Sequence, residues 1–106
     1  MAAGVLGSGS ATGDFTRTIY TCPLTVQYAV LHFFYNLFVR NASGDAAAIV
    51  EGNTVSSISS NTSTAVTDRG SLSVILGPGE SIQMVTSVSL TGQAVASGWV
   101  TGYEVP

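Results

Sequence analysis

From Phe15 onward, short runs alternate polar and apolar residues and are punctuated by glycine, proline and asparagine, a pattern of repeated half-buried β-strands. In the first run Phe15, Arg17 and Ile19 lie on one side and Thr16, Thr18 and Tyr20 on the other. Residues 15–21 therefore read as a strand, which Cys22-Pro23 ends because proline cannot donate to a ladder. Residues 25–41 are nearly continuous in apolar character. Their length suits a buried helix and their aromatic and β-branched content suits a strand. As a strand they place Ala29, Leu31, Phe33, Tyr35, Leu37 and Val39 on one apolar face, with Tyr28, His32, Phe34, Asn36 and Arg40 on a mixed face. Gln27, His32, Asn36 and Arg40 recur every four or five residues, which keeps the helix as the rival; the strand is preferred.

Asn41-Ala42-Ser43-Gly44-Asp45 has turn chemistry, and Ala46–Glu51 can pair back on the long strand as a hairpin. Residues 52–70 suggest one short strand, Val55–Ser59, between loops containing Asn53, Asn61, Thr62, Asp68, Arg69 and Gly70. Leu72, Val74 and Leu76 then alternate with serine and isoleucine, Gly77-Pro78-Gly79-Glu80 fits a type II turn, and Ile82, Met84 and Thr86 resume the alternation. Thr91-Gly92 closes another loop before a last strand, Ala94–Tyr103. The expected class is all-β, an antiparallel β-sandwich or jelly roll of about seven short strands. Residues 1–14, rich in Gly, Ala and Ser without periodicity, read as a flexible N-terminal arm, and residues 15–106 as the β-sandwich domain.

Composition narrows the function classes. Charged residues make up 8% of the 106, against about 25% in an average soluble domain, and lysine is absent. With 45% hydrophobic residues and a net charge of −3, the chain has the opposite balance to a disordered protein, and its neutral surface invites burial in an assembly. Arg17, Arg40 and Arg69 are too few and too scattered to neutralise a phosphate backbone, so no nucleic-acid partner is expected. The apolar run Val26–Val39 falls short of the roughly 20 residues of a spanning helix, so no membrane partner is expected either. The first residues lack the basic start and apolar stretch of a signal peptide, which points to synthesis in the cytoplasm.

Candidate chemistry is sparse. His32 is the sole histidine and lies in the most apolar stretch, without a nucleophile elbow; it reads as a core or interface residue. Asp14, Asp45, Glu51, Asp68, Glu80 and Glu104 fall at loops and strand ends as solvated charges, and Cys22 stands alone as a small hydrophobe. No metal-ligand spacing and no phosphate-binding loop occurs, so neither a catalytic site nor a metal or other cofactor is expected. Trp99 and Tyr103, four apart on the last strand, share a face. A core or subunit-interface role is preferred there to a sugar-stacking platform.

Ile19-Tyr20-Thr21-Cys22-Pro23, then Leu37-Phe38-Val39-Arg40-Asn41, then Gly79-Glu80-Ser81-Ile82 and a closing Val100-Thr101-Gly102-Tyr103-Glu104 occur in an order that resembles small β-sandwich structural proteins of tailed-bacteriophage virions. The resemblance spans about residues 15–105 and rests on generic strand-and-turn elements. It implies a non-enzymatic virion protein, made in the host cytoplasm, that decorates or cements the phage capsid. The implied partners are further copies of itself, with a trimer as the expected form, and the major capsid protein or other virion proteins. The alternatives are a tail, neck or fibre protein and, in a different class, a carbohydrate-binding adhesin module using Trp99, Tyr103 and the loops around Asn53 and Asn61. A small hydrolase ranks last.

Overall fold

The computed structural model describes residues 4–40, 44–60, 64–89 and 92–106. Eight strands are formed: β1 Gly4–Thr12, β2 Phe15–Thr21, β3 Tyr28–Arg40, β4 Gly44–Val50, β5 Asn53–Ser60, β6 Val66–Leu76, β7 Ser81–Val88 and β8 Gln93–Val105. Their arrangement is that of one long hairpin rolled up. Its tip is the two-residue loop Glu51-Gly52, where φ is +53° and +79°, the doubly positive geometry of a type I′ turn. Outward from that tip the two halves of the chain pair antiparallel in sequence: β4 on β5, β3 on β6, β2 on β7 and β1 on β8. Rolling adds the pairs β3–β8 and β4–β7, closing two four-stranded sheets in the orders β1-β8-β3-β6 and β2-β7-β4-β5. This is the jelly roll, the second of the two architectures expected.

The core lies between the sheets. Ala29, Leu31, Phe33, Leu37 and Val39 of β3 are buried, and Ala94, Ala96 and Val100 of β8 join them from the same sheet. Ala46, Ala48 and Val50 of β4 and Ile82 and Met84 of β7 come from the other sheet. The odd positions of β3 thus form the core face, and the apolar stretch is a strand, not a helix, over Tyr28–Arg40. Small alanines on β4 and β8 leave room for Phe33, Leu37 and Met84, interdigitating large and small across the gap. The turn Gly77-Pro78-Gly79-Glu80 also forms as anticipated, with φ of +85° at Gly79 and the Glu80 amide donating to the Gly77 carbonyl at 3.1 Å.

Three expectations need correction. The segment anticipated as a flexible arm contains β1, an edge strand; residues 1–3 of that arm lie outside the described residues. Gly7 answers a need for space, because a Cβ there would fall on the Ile19 carbonyl oxygen of β2. Ala11 is fully buried, so the segment also contributes to the core. The hairpin between β3 and β4 does not form. β4 instead sits in the opposite sheet, because both strands carry an apolar face and each buries it against the other across the sandwich. The turn residues Asn41, Ala42 and Ser43 lie outside the described residues, as do Asn61, Thr62 and Thr91. Finally, Thr67–Gly70, anticipated as loop, belong to β6: Asp68 accepts a hydrogen bond from Ser56 Oγ at 2.5 Å, and Gly70 lies under the Tyr35 hydroxyl. No helix among the described residues is long and apolar enough to cross a membrane.

Candidate functional site

Alternation along β3 fixes what the β1-β8-β3-β6 sheet shows to solvent. With the odd positions in the core, Val30, His32, Phe34, Asn36 and Phe38 must point outward, and the register carries that face across all four strands. Phe34 lies opposite Trp99 of β8 on one side and Ser71 of β6 on the other, while Trp99 lies opposite Ser8 of β1. The two rings stack nearly parallel, with centroids 4.9 Å apart and an interplanar angle of 10°. His32 meets the edge of Phe34 at 4.7 Å, and Ser73 Oγ lies 3.4 Å from His32 Nδ1. An aromatic ridge flanked by small serines therefore crosses the middle of the sheet.

The rows on either side repeat this relief. One row from the ridge, Ser10, Ser97, Asn36 and Arg69 form a shallow groove, which continues beside Phe38 and Thr67. In the opposite direction Thr101, His32 and Ser73 form a lower row, followed by the bulkier Tyr103, Val30 and Ile75. Val5 and Ile75 are 66% and 65% exposed, and Tyr28, Trp99 and Tyr103 close to 40% each. All five lie on this one face. The sequence correctly put Trp99 and Tyr103 on a common face. It offered the core as one of their roles, but both stand on the outer surface, where neighbours on β3 and β1 only partly cover them. Phe34, Asn36 and Arg69 are the members that sequence reasoning passed over, because they join Trp99 only through strand register. The mixed aromatic series on the even face of β3 was the signal that could have found them.

Titratable groups gather elsewhere, at the end of the sandwich that carries both the Glu51-Gly52 and Pro78-Gly79 turns. Tyr20 donates a hydrogen bond to Glu104 Oε2 at 2.7 Å, and burial together with that carboxylate raises the phenol well above its usual range. Burial also pushes the Cys22 thiol up, assisted by Glu104 and Glu80, which disfavours the thiolate a nucleophile needs. Glu80 accepts a hydrogen bond from the Gly77 amide and neighbours Glu51, whose carboxyl is raised by loss of surrounding water and then by the Glu80 carboxylate. These contacts tie turns to strand ends. Among the described residues no three His, Cys, Asp or Glu side chains come together as a metal-binding group.

No family model matches the chain, and no curated protein does. Similar solved structures include dimeric latent PorU from Porphyromonas gingivalis, at a TM-score of 0.48 and 10% identity over 98% of this chain and 13% of that one. Infectious bursal disease virus, Gx strain, matches at a TM-score of 0.40 and 13% identity over 94% of this chain and 31% of the viral one. A protein of the disulfide-linked endospore appendages of Bacillus matches at 0.31 and 8% identity over 100% and 93%. The chain thus spans less than a third of the first two. Likenesses of this degree establish nothing about what the chain binds.

Proposed function

We propose that the protein is a non-enzymatic structural component of a virion, one that decorates or cements a phage capsid by oligomeric contacts between β-domains. The observation that carries this is the outer face of the β1-β8-β3-β6 sheet, where Val5, Tyr28, Ile75, Trp99 and Tyr103 are left exposed together. A contiguous apolar patch on a soluble domain ordinarily marks a surface that a partner covers, since each Å² removed from water contributes about 25 cal/mol. The edge strands β1 and β5 carry no charged side chain, so nothing in them opposes contact with neighbours. The test is cosedimentation of the full chain with capsids lacking it. Saturable binding supports the proposal; a chain that stays in the supernatant and is monomeric at every concentration removes it. Gold labelling and microscopy distinguish a capsid position from one in the tail, neck or fibre.

One observation favours a second reading, a carbohydrate-binding adhesin module. The Trp99 ring rises beside the small Ser8, with Asn36 and Arg69 in the adjacent groove, a combination able to stack on a sugar and hydrogen-bond to it. Glycan-array binding that Trp99→Ala abolishes would favour it. Silence on the array would remove it.

A further inference from the structure

The relief of the aromatic sheet is self-complementary, and the geometry points to a second copy of this chain as its occupant, packed face to face across a two-fold axis. This inference rests on the assembly function proposed above and names the partner and the surface. Along β3 and β8 the outward rows alternate between large apolar side chains, the high rows, and smaller or polar ones, the low rows. The row of Tyr103 and Val30 is high, that of Thr101 and His32 low, that of Trp99 and Phe34 high, and that of Ser97 and Asn36 low. The next row, Val95 and Phe38, is high again. A two-fold axis lying in the interface, parallel to the sheet and running across its strands between the Phe34 and Asn36 rows, lays the two central high rows of one copy into low rows of the other. The Trp99–Phe34 ridge enters the partner's Ser97–Asn36 groove, and the Phe38 row enters the partner's His32 row.

Charge and size fit the same arrangement. Arg69, opposite Asn36, is carried over Ser71 of the other copy, at the end of the aromatic ridge beside Phe34, within reach of a cation–π contact with that ring. Arg40 and Arg69 both lie on one side of the axis, so the two-fold sends the positive ends of the two copies to opposite ends of the interface. The longest strands of the sheet have thirteen residues. At about 3.4 Å per residue and about 4.8 Å between four strands, the face offers roughly 800 Å². That is about what each partner of a stable protein–protein interface contributes. An isologous face of this kind closes as a dimer, in place of the trimer expected from the sequence.

Sedimentation velocity on the full chain between about 1 and 100 μM is the test, a range spanning typical non-obligate affinities. The wild type is expected to be dimeric at the upper end. Trp99→Ser, which removes the ridge, and Ser97→Arg, which fills the groove, each raise the dimer dissociation constant about thirtyfold or more, the effect of losing a central anchor. Ser57→Arg, on the opposite sheet, leaves it unchanged. Circular dichroism checks that each variant is folded, and Ser8→Arg, at an exposed position on the same face, replaces any that is not. A wild-type monomer overturns the inference while capsid binding continues to judge the proposed function. A trimer, or a dimer indifferent to Trp99→Ser and Ser97→Arg, also overturns it and leaves assembly through another surface.

Discussion

The two sheets of this jelly roll share a core and a scarcity of charge, yet they turn opposite characters to solvent. Outside the β2-β7-β4-β5 sheet, Thr16, Val85, Ala47 and Ser57 follow one another across the strands, as do Thr18, Gln83 and Ile49. No aromatic side chain stands in these rows, and Gln83 Nε2 donates to Thr18 Oγ1 at 3.2 Å. The outside of β1-β8-β3-β6 instead carries the stacked Phe34 and Trp99, with Tyr103 and Ile75 beyond them. Neutral composition by itself therefore does not identify an assembly surface. What distinguishes the faces is where the register gathers large side chains, because contact area scales with their size while serine and threonine remain satisfied by water.

The sharpest way to break this contrast is to exchange the roles of neighbours on β3. Phe33 is fully buried in the core and Phe34, next to it, stands on the outer ridge. Phe33→Ala is expected to cost about 3–5 kcal/mol of monomer stability in urea unfolding, through lost burial and a cavity. Phe34→Ala, measured below the concentration at which copies associate, costs about 1 kcal/mol, mainly the loss of the ring pair with Trp99. Equal losses would mean that the aromatic face is part of the core and not a surface.

A smaller effect concerns the edge that carries Ser8 beside the ridge. Gly7→Ala sets a methyl against the Ile19 carbonyl oxygen, and the strand must move. The expected cost is about 1–3 kcal/mol, with faster amide exchange in β1 than in β6, the other edge of the same sheet. Unchanged exchange in β1 would show that the strand adjusts without loosening.

The smallest effect lies at the tip of the polar sheet. The Glu51 carboxyl is raised above its ordinary 4.5, so its contribution to stability is fully present below that value and is lost as pH rises through the folded-state value. Glu51→Gln removes the repulsion with Glu80. It is expected to raise the thermal midpoint slightly at neutral pH and to leave it unchanged near pH 3. A midpoint lowered at neutral pH would show that the Glu51 charge is favourable.

How much of this was legible in the sequence follows from how local each cause is. The strand at residues 15–21, the core face of β3 and the Pro78-Gly79 turn are dictated by alternation and by backbone preferences of single residues, and the structure has all of them. β1 was illegible because Gly7 answers to a carbonyl on another strand, a tertiary reason that composition reports only as flexibility. The start of β6 was missed because Asp68, Arg69 and Gly70 carry turn chemistry by type, and it is pairing with β3, together with Ser56 and Tyr35 brought alongside by the fold, that holds them in a strand. At the candidate site Trp99 and Tyr103 were visible through their spacing. Their neighbours Phe34, Asn36 and Arg69 were not, since cross-strand register cannot be read along one strand.

Trp99 is the sole tryptophan and sits on the ridge itself, so its fluorescence reports directly on whether the aromatic face is covered. Acrylamide quenching should be measured on the full chain from the monomeric to the most concentrated state, and again with capsids added. If this face is the assembly surface, quenching falls and the emission shifts to the blue as association proceeds. Association that leaves Trp99 as accessible as in the monomer would contradict the account.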